Sequence, residues 1–389
     1  MAKSLVLHIG DPKTGSSSIQ EVMRNRLWES PSVTVAYPDQ LSSFPLANAL
    51  SDPKQAEHRI ARYTKLTSWL AASDADVAVV SAEQFFRVEP QTLLSTLTEF
   101  LPDYLPTLRI VAYVRPHASR LLSAFMQRGK AGLYQGDMET FFKRTNGENL
   151  LIYAPRFQRW RDTFGDRFVL RPMIRSQLRD GDVVSDFLDI VLGGAPFKLR
   201  GVVEANPSLT LEYLAGLRDV QAILKRNQIP NGTRHSVGDH VGMTLARKYP
   251  GAGTKLQITR ELYQDLKVQC QADAEALDAA FFGGQPLMAQ ALEEAGGDAL
   301  AVKQVLAVKS HFPDETIQTL RQKSRNLVSL FKKRPSAWTI AFEREIGQRP
   351  AGPEDKPLPP AARTHIEKVN AILSDIAHQI GGGLATKSD

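Results

Sequence analysis

Leu5-Val6-Leu7-His8-Ile9-Gly10-Asp11-Pro12-Lys13-Thr14-Gly15-Ser16-Ser17-Ser18-Ile19-Gln20 decides how the rest of the chain is read. An apolar run too short for a helix ends in a glycine-containing loop, and Ile19, Met23 and Leu27 then recur at helical spacing. Strand, loop and helix in that order bring backbone N–H groups and a helix N-terminus to one point, the usual cradle for a phosphate. Gly10 and Gly15 have the G-x-x-x-x-G spacing, but Ser16 stands where a Walker loop has lysine. The lysine lies inside the loop, at Lys13. Ser16, Ser17 and Ser18 are expected to supply an N-cap and hydroxyl donors.

Outward from this loop, strands are expected over 4–9, 32–37, 76–81, 108–114 and 167–172, short Val/Ile/Leu-rich runs bounded by turn residues or charges. Helices are expected near 55–72, 91–100, 117–129 and 149–163. That alternation implies a parallel sheet with helices on both faces. The second half reads as helical over 207–228, 258–282 and 286–346, with breaks at Gly296-Gly297, Pro313 and Pro335. His235 and His240 read as loop residues. Residues 349–361 hold Pro350, Pro353, Pro357, Pro359 and Pro360 and read as a linker. A final amphipathic helix carries Ile366, Val369, Leu373, Ile376 and Ile380, and the tail from Gly381 is expected to fray. The fold class is α/β, a P-loop-like three-layer domain with a central parallel sheet over 1–285, followed by a helical C-terminal extension over 286–389.

Composition sets limits on function. The 389 residues carry 48 Lys+Arg against 42 Asp+Glu, a formal charge of +6, with 42% hydrophobic residues. This is ordinary globular composition, and such a length buries a large core. Cys270 is the single cysteine, which excludes an intramolecular disulfide framework and any multi-cysteine metal site; it reads as a buried apolar residue. No His/Cys/Asp spacing suggests a metal. The basic excess is diffuse, so no nucleic-acid partner is expected. No apolar run approaches the ~20 residues of a membrane span, and the N-terminus does not read as a signal peptide. The expected location is cytoplasmic.

A second strand–turn–helix runs from Leu108 through Val114-Arg115-Pro116-His117 to Arg120 and Ser123. Arg115 and Ser123, eight residues apart across the turn, are suited to sharing one anion. Glu83 follows the strand Val77-Ala78-Val79-Val80-Ser81, at the sheet edge where ligands of doubly wound folds bind.

These segments resemble sulfotransferases that use 3′-phosphoadenosine 5′-phosphosulfate (PAPS), nearest in style to bacterial carbohydrate-sulfotransferase-like members. The resemblance covers about residues 4–200. It implies that Gly10, Lys13, Thr14, Gly15, Ser16, Ser17 and Ser18 hold the 5′-phosphosulfate, with Lys13 at the bridging oxygen. It implies that Arg115 and Ser123 hold the 3′-phosphate, with Arg120 as the family's second arginine. The turn Arg115-Pro116 departs from the commoner Arg-Asp-Pro or Arg-Asn-Pro. The family's strand-end glutamate matches Glu83, the expected general base; His8, which titrates near neutrality, is the rival. A third cofactor segment is open between Arg200-Gly201 and Thr254-Lys255. His117 is a candidate 3′-phosphate contact, whereas Tyr153, Arg156 and Trp160 read as packing under the sheet.

The implied activity is transfer of a sulfuryl group from PAPS to a hydroxyl or amine of a carbohydrate acceptor, a glycan or glycolipid, releasing adenosine 3′,5′-bisphosphate. The alternatives are a P-loop kinase or other NTP-dependent phosphotransferase, and a non-catalytic nucleotide-binding protein. Oligomeric state is not legible.

Overall fold

The computed structural model describes residues 2–147, 149–200, 209–250, 253–347, 349 and 359–385. Its strands are β1 (Ser4–His8), β2 (Trp28–Glu29), β3 (Val35–Ala36), β4 (Val77–Ser81), β5 (Arg109–Val114), β6 (Phe168–Pro172) and β7 (Lys198–Leu199). Its helices are α1 (Ser16–Asn25), α2 (Phe44–Ser51), α3 (Arg59–Ala71), α4 (Pro90–Phe100), α5 (His117–Lys130), α6 (Met138–Gly147), α7 (Ala154–Phe164), α8 (Val183–Val191), α9 (Leu211–Arg226), α10 (Asn231–Lys248), α11 (Arg260–Phe281), α12 (Leu287–Gly297), α13 (Asp314–Lys333), α14 (Ala337–Glu345) and α15 (Pro360–Ala385). The chain divides into two compact units that interleave along the sequence rather than meeting at one cut after residue 285. The first is Met1–Arg120, Asn149–Val203 and Leu266–Ala295; the second is Leu121–Glu148, Glu204–Asp265 and Gly296–Asp389.

The first unit is the α/β body. Its five-stranded sheet has the order β3-β4-β1-β5-β6, every pair parallel. The strands alternate their side chains between faces. Val6, Val77, Val79, Val111 and Tyr113 pack with Ile19, Val22 and Met23 of α1 and Val183, Val184, Phe187 and Leu188 of α8. Ile110 and its register partner Phe168 point to the opposite face. There Phe168 stacks on Phe157 and Trp160 of α7. Helices therefore cover both faces, the arrangement a parallel sheet requires because neither face meets water. Because all five strands run the same way, the loops after β1, β4 and β5 leave from one edge.

The strand expected over 32–37 shrinks to Val35–Ala36. It is the sheet's edge, paired only to β4, and Pro31 just before it can donate no ladder hydrogen bond. The helix expected over 55–72 opens as a 3-10 turn at Pro53–His58 and becomes α-helical only from Arg59. The sequence reading did not foresee α2 and α6. Cys270 is fully buried, as expected.

The second unit is helical. Its core joins Leu217, Val220 and Leu224 of α9, Val237 and Val241 of α10, Leu320 and Leu327 of α13, Trp338 of α14, and Val369, Leu373, Ile376 and Ile380 of α15. The stretch around His235 and His240, expected as loop, is helix α10. Its glycines misled the periodic reading and serve packing instead. A Cβ on Gly238 would lie 2.3 Å from the Lys130 carbonyl oxygen, so only glycine admits the backbone of α5 there. The C-terminal helix does not fray at Gly381, which packs on the Tyr249 ring, but continues to Ala385. Residues 298–313 hold the 3-10 turn Val308–Ser310 and a bridge from Leu300 to Thr259 rather than α-helix. Most of the expected proline linker lies outside the described residues; Pro360 opens α15, where its missing N–H costs nothing. Among the described residues no helix is long and apolar enough to cross a membrane.

Each unit holds a histidine that burial keeps neutral. His8 in the sheet and His240, against Trp338 and Phe342, both have pKa values lowered to about 4. Unfolding restores the ordinary value near 6.5, so the unfolded chain binds these protons first. The stability tied to neutral imidazole is complete above pH 6.5 and is lost as pH falls toward 4. Each group accounts for about 3 kcal/mol across that window. Urea midpoints are expected to drop steeply between pH 6.5 and 4.5, and His240→Phe to flatten that drop. A drop of equal steepness in the variant would exclude His240 as a source.

Candidate functional site

Three loops of the first unit leave the same sheet edge, and their side chains converge. The loop after β1 bends through left-handed backbone at Gly10 (φ +70°), Lys13 (φ +73°) and Gly15 (φ +84°). Lysine has no intrinsic preference for that region. The loop is held there from outside: Arg115, following β5, donates from Nη1 to the Lys13 carbonyl oxygen at 2.9 Å. Thr14 Oγ1 donates to the Asp11 carbonyl oxygen at 2.6 Å.

Gly15 is the N-cap of α1 and supplies no side-chain cap. This corrects the expectation that the serines cap the helix: Ser16, Ser17 and Ser18 are its first turn. Their N-terminal amides remain open to an anion. Ser16 is buried, and its Oγ has no hydrogen-bond partner.

Glu83 begins a 3-10 turn, Glu83–Arg87, directly after β4. It packs on the loop so closely that a Cβ on Gly10 would lie 2.8 Å from the Glu83 Cα. Burial raises the pKa of its carboxyl; the Lys13 charge opposes that shift, Asp11 adds to it, and Arg120 and Arg87 oppose it. A carboxylate held this way is a stronger base than a solvated one. If Glu83 is the general base expected from the sequence, Gly10→Ala displaces it and lowers turnover at least tenfold, while thermal melting shows a folded protein. Wild-type turnover in this variant would show that the close approach is not needed.

Asp11, 1% exposed, anchors two further arginines. Arg156 Nη2 donates to its Oδ1 at 2.7 Å, and Arg120 Nε to its Oδ2 at 3.4 Å. Arg115 binds Ser119 Oγ through Nε at 2.7 Å, and burial and neighbouring Arg120 both press its pKa down. Crowded guanidinium groups of this kind favour an anion among them. Lys13, Arg87, Arg115, Arg120 and Arg156 thus stand against the carboxylates of Asp11 and Glu83, leaving the edge cationic. Ser123 lies farther along α5, in the stretch that belongs to the second unit.

His8, the rival base, lies fully buried inside the sheet. Its Nδ1 pairs with Ser81 Oγ at 2.8 Å, and its ring packs on Phe187 with centroids 5.1 Å apart. His117, a candidate phosphate contact by sequence, is turned inward: its Nε2 binds Asp273 Oδ2 at 3.0 Å. Of the candidates for a third cofactor segment, Arg200 pairs with Glu29 and Thr254 with Glu212, each within its own unit, and Gly201 lies outside the described residues.

Sequence reading missed Asp11 and assigned Arg156 to packing. The helical phase of Arg156 with Trp160 suggested burial, and nothing in the local sequence shows that α7 meets the β1 loop. No family model, curated protein or solved structure matches the chain. What the geometry defines is a parallel α/β protein with a cationic, glycine-turned loop at the carboxyl edge of its sheet.

Proposed function

We propose that this protein is a PAPS-dependent sulfotransferase with a P-loop-like cofactor loop, acting on a hydroxyl or amine of a carbohydrate acceptor. One observation carries the reading: Arg115 of the second anion motif bonds directly to Lys13 of the first, with Glu83 packed on the same loop. The residues present suit a phosphosulfate. Gly10 and Gly15 give the loop its left-handed turns, the first-turn amides of α1 carry no side-chain cap, and the buried Ser16 hydroxyl lacks a partner. Ser16 in place of the Walker lysine disfavours a kinase.

In this reading Lys13, Thr14, Gly15 and Ser16 to Ser18 hold the 5′-phosphosulfate, and Arg115 the 3′-phosphate. PAPS supplies the sulfuryl group and a leaving group that is already anionic. Glu83 takes the acceptor proton as the acceptor oxygen or nitrogen bonds to sulfur in line. The sulfur–oxygen bond to the phosphate breaks, its electron pair stays on that oxygen, and Lys13 faces the charge that grows there. Glu83 is preferred to His8 because it stands at the sheet edge, whereas His8 is sealed in the sheet interior and bonded to Ser81.

The test is calorimetric titration with adenosine 3′,5′-bisphosphate beside ATP and 5′-AMP, without Mg²⁺. The bisphosphate is expected to bind at least tenfold more tightly than either. Failure to bind it, or tighter binding of ATP once Mg²⁺ is added, would overturn the sulfotransferase reading.

A further inference from the structure

A buried hydroxyl or guanidinium N–H without an acceptor is costly, and native interiors rarely keep one. Among those the first unit keeps near the β1 loop are Tyr153 Oη, Arg156 Nε and Ser16 Oγ. Tyr153 is 0% exposed. Its hydroxyl feels the charges of Arg120, Asp11 and Arg156, and Tyr153 in turn acts on Arg115, so it faces the same cluster. The Arg156 guanidinium lies over the rings of Phe157 (4.9 Å), Phe86 (5.7 Å) and Tyr153 (5.9 Å), with Nη2 spent on Asp11.

The placement is enforced from behind. Asp273 of α11 accepts hydrogen bonds from the backbone N–H groups of Tyr153 (2.9 Å) and Ala154 (2.8 Å), while also binding His117. The His117 ring packs on the Tyr153 ring with centroids 4.7 Å apart. Tyr153 is therefore pinned at its backbone and ring, and only its hydroxyl is left unsatisfied. All three of these groups can donate, and the Asp11 carboxylate is already engaged by Arg120 and Arg156. Arg156 Nε can only donate and both hydroxyls can donate as well, so an oxyanion is a ligand that answers all three.

We propose that Tyr153 and Arg156, together with Ser16, form an oxyanion subsite that binds a phosphate or sulfate group of the substrate. The inference extends the sulfotransferase reading, in which two sources present such a group: a phosphate of the nucleotide, and the sulfuryl group in transfer.

Tyr153→Phe deletes one oxygen and keeps the ring. Wild type and variant would be titrated with adenosine 3′,5′-bisphosphate, with inorganic sulfate, and with inorganic sulfate after saturation by the bisphosphate. About tenfold weaker binding is expected, the usual effect of losing one charge-assisted hydrogen bond. Weakening in the bisphosphate titration assigns the subsite to a nucleotide phosphate. Weakening only in the saturated protein assigns it to the sulfuryl position. Equal affinities in every titration, or a wild type that binds none of the probes, would overturn the proposal. A wild type that rejects the bisphosphate but binds sulfate in a Tyr153-dependent way would uphold the subsite while removing the sulfotransferase reading. If Tyr153→Phe fails to fold, Arg156→Lys repeats the comparison, since it keeps a cation for Asp11 and deletes the Nε donor.

Discussion

Lys13→Ala is expected to slow release of adenosine 3′,5′-bisphosphate from PAPS, assayed with a mixed saccharide acceptor, by about 10²–10³-fold. That is the usual effect of removing one group aimed at developing transition-state charge. Binding of adenosine 3′,5′-bisphosphate is expected to weaken far less. The loop keeps its shape without the side chain, because Arg115 is bonded to the Lys13 backbone oxygen rather than to the ammonium. Alanine also meets the same left-handed backbone at φ +73° that lysine already tolerates, so no new strain enters. A loss in turnover without a matching loss in affinity is the signature of a group that acts in the transition state. Wild-type turnover in this variant would remove Lys13 from the mechanism.

Glu83→Gln is expected to abolish most turnover, by about 10²–10⁴-fold, with bisphosphate affinity retained. The pH profile carries a second, coupled expectation. Glu83 acts as a base only when ionised, and burial raises its pKa while Lys13 lowers it. The acid limb of the wild-type rate should therefore lie above the ordinary carboxylate range. In Lys13→Ala the opposing charge is gone, so the residual activity should show that limb displaced to still higher pH. Full turnover in Glu83→Gln would move proton transfer to another group, His8 first. An acid limb that does not move in Lys13→Ala would show that the rate reports some other titration.

Much of the α/β body was legible because its rules are local. β1, β4, β5 and β6 are short runs rich in Val, Ile and Leu bounded by turn residues or charges, and their expected limits match the observed ones within a residue. The β1–loop–α1 unit is likewise readable, since two glycines and a helical apolar stripe are all it requires. The misreadings arose where packing overrode local signals. Gly232, Gly238 and Gly242 suggested a loop, yet α10 is helical, and at Gly238 and Gly242 close approach to Lys130 rewards the missing side chains. Gly381 to Gly383 suggested fraying, yet α15 continues because Tyr249 covers it. The serines after Gly15 suggested a cap, yet the helix starts one residue earlier than that role allows.

The site divides along the same line. Residue type and spacing together with the family resemblance singled out Lys13, Glu83 and Arg115, each of which follows a recognisable strand, and parallel strands deliver their ends to one edge. The sequence could not say that Arg115 fastens the Lys13 backbone, that Glu83 rests on Gly10, or that Asp11 gathers Arg120 and Arg156. Those contacts join residues roughly 70 to 145 positions apart, and no local pattern encodes them. Their partners are chosen by which helix covers which face of the sheet. The strand–glycine loop–helix pattern is thus a property of sixteen consecutive residues, whereas the orientation of its charges is a property of the packed α/β unit.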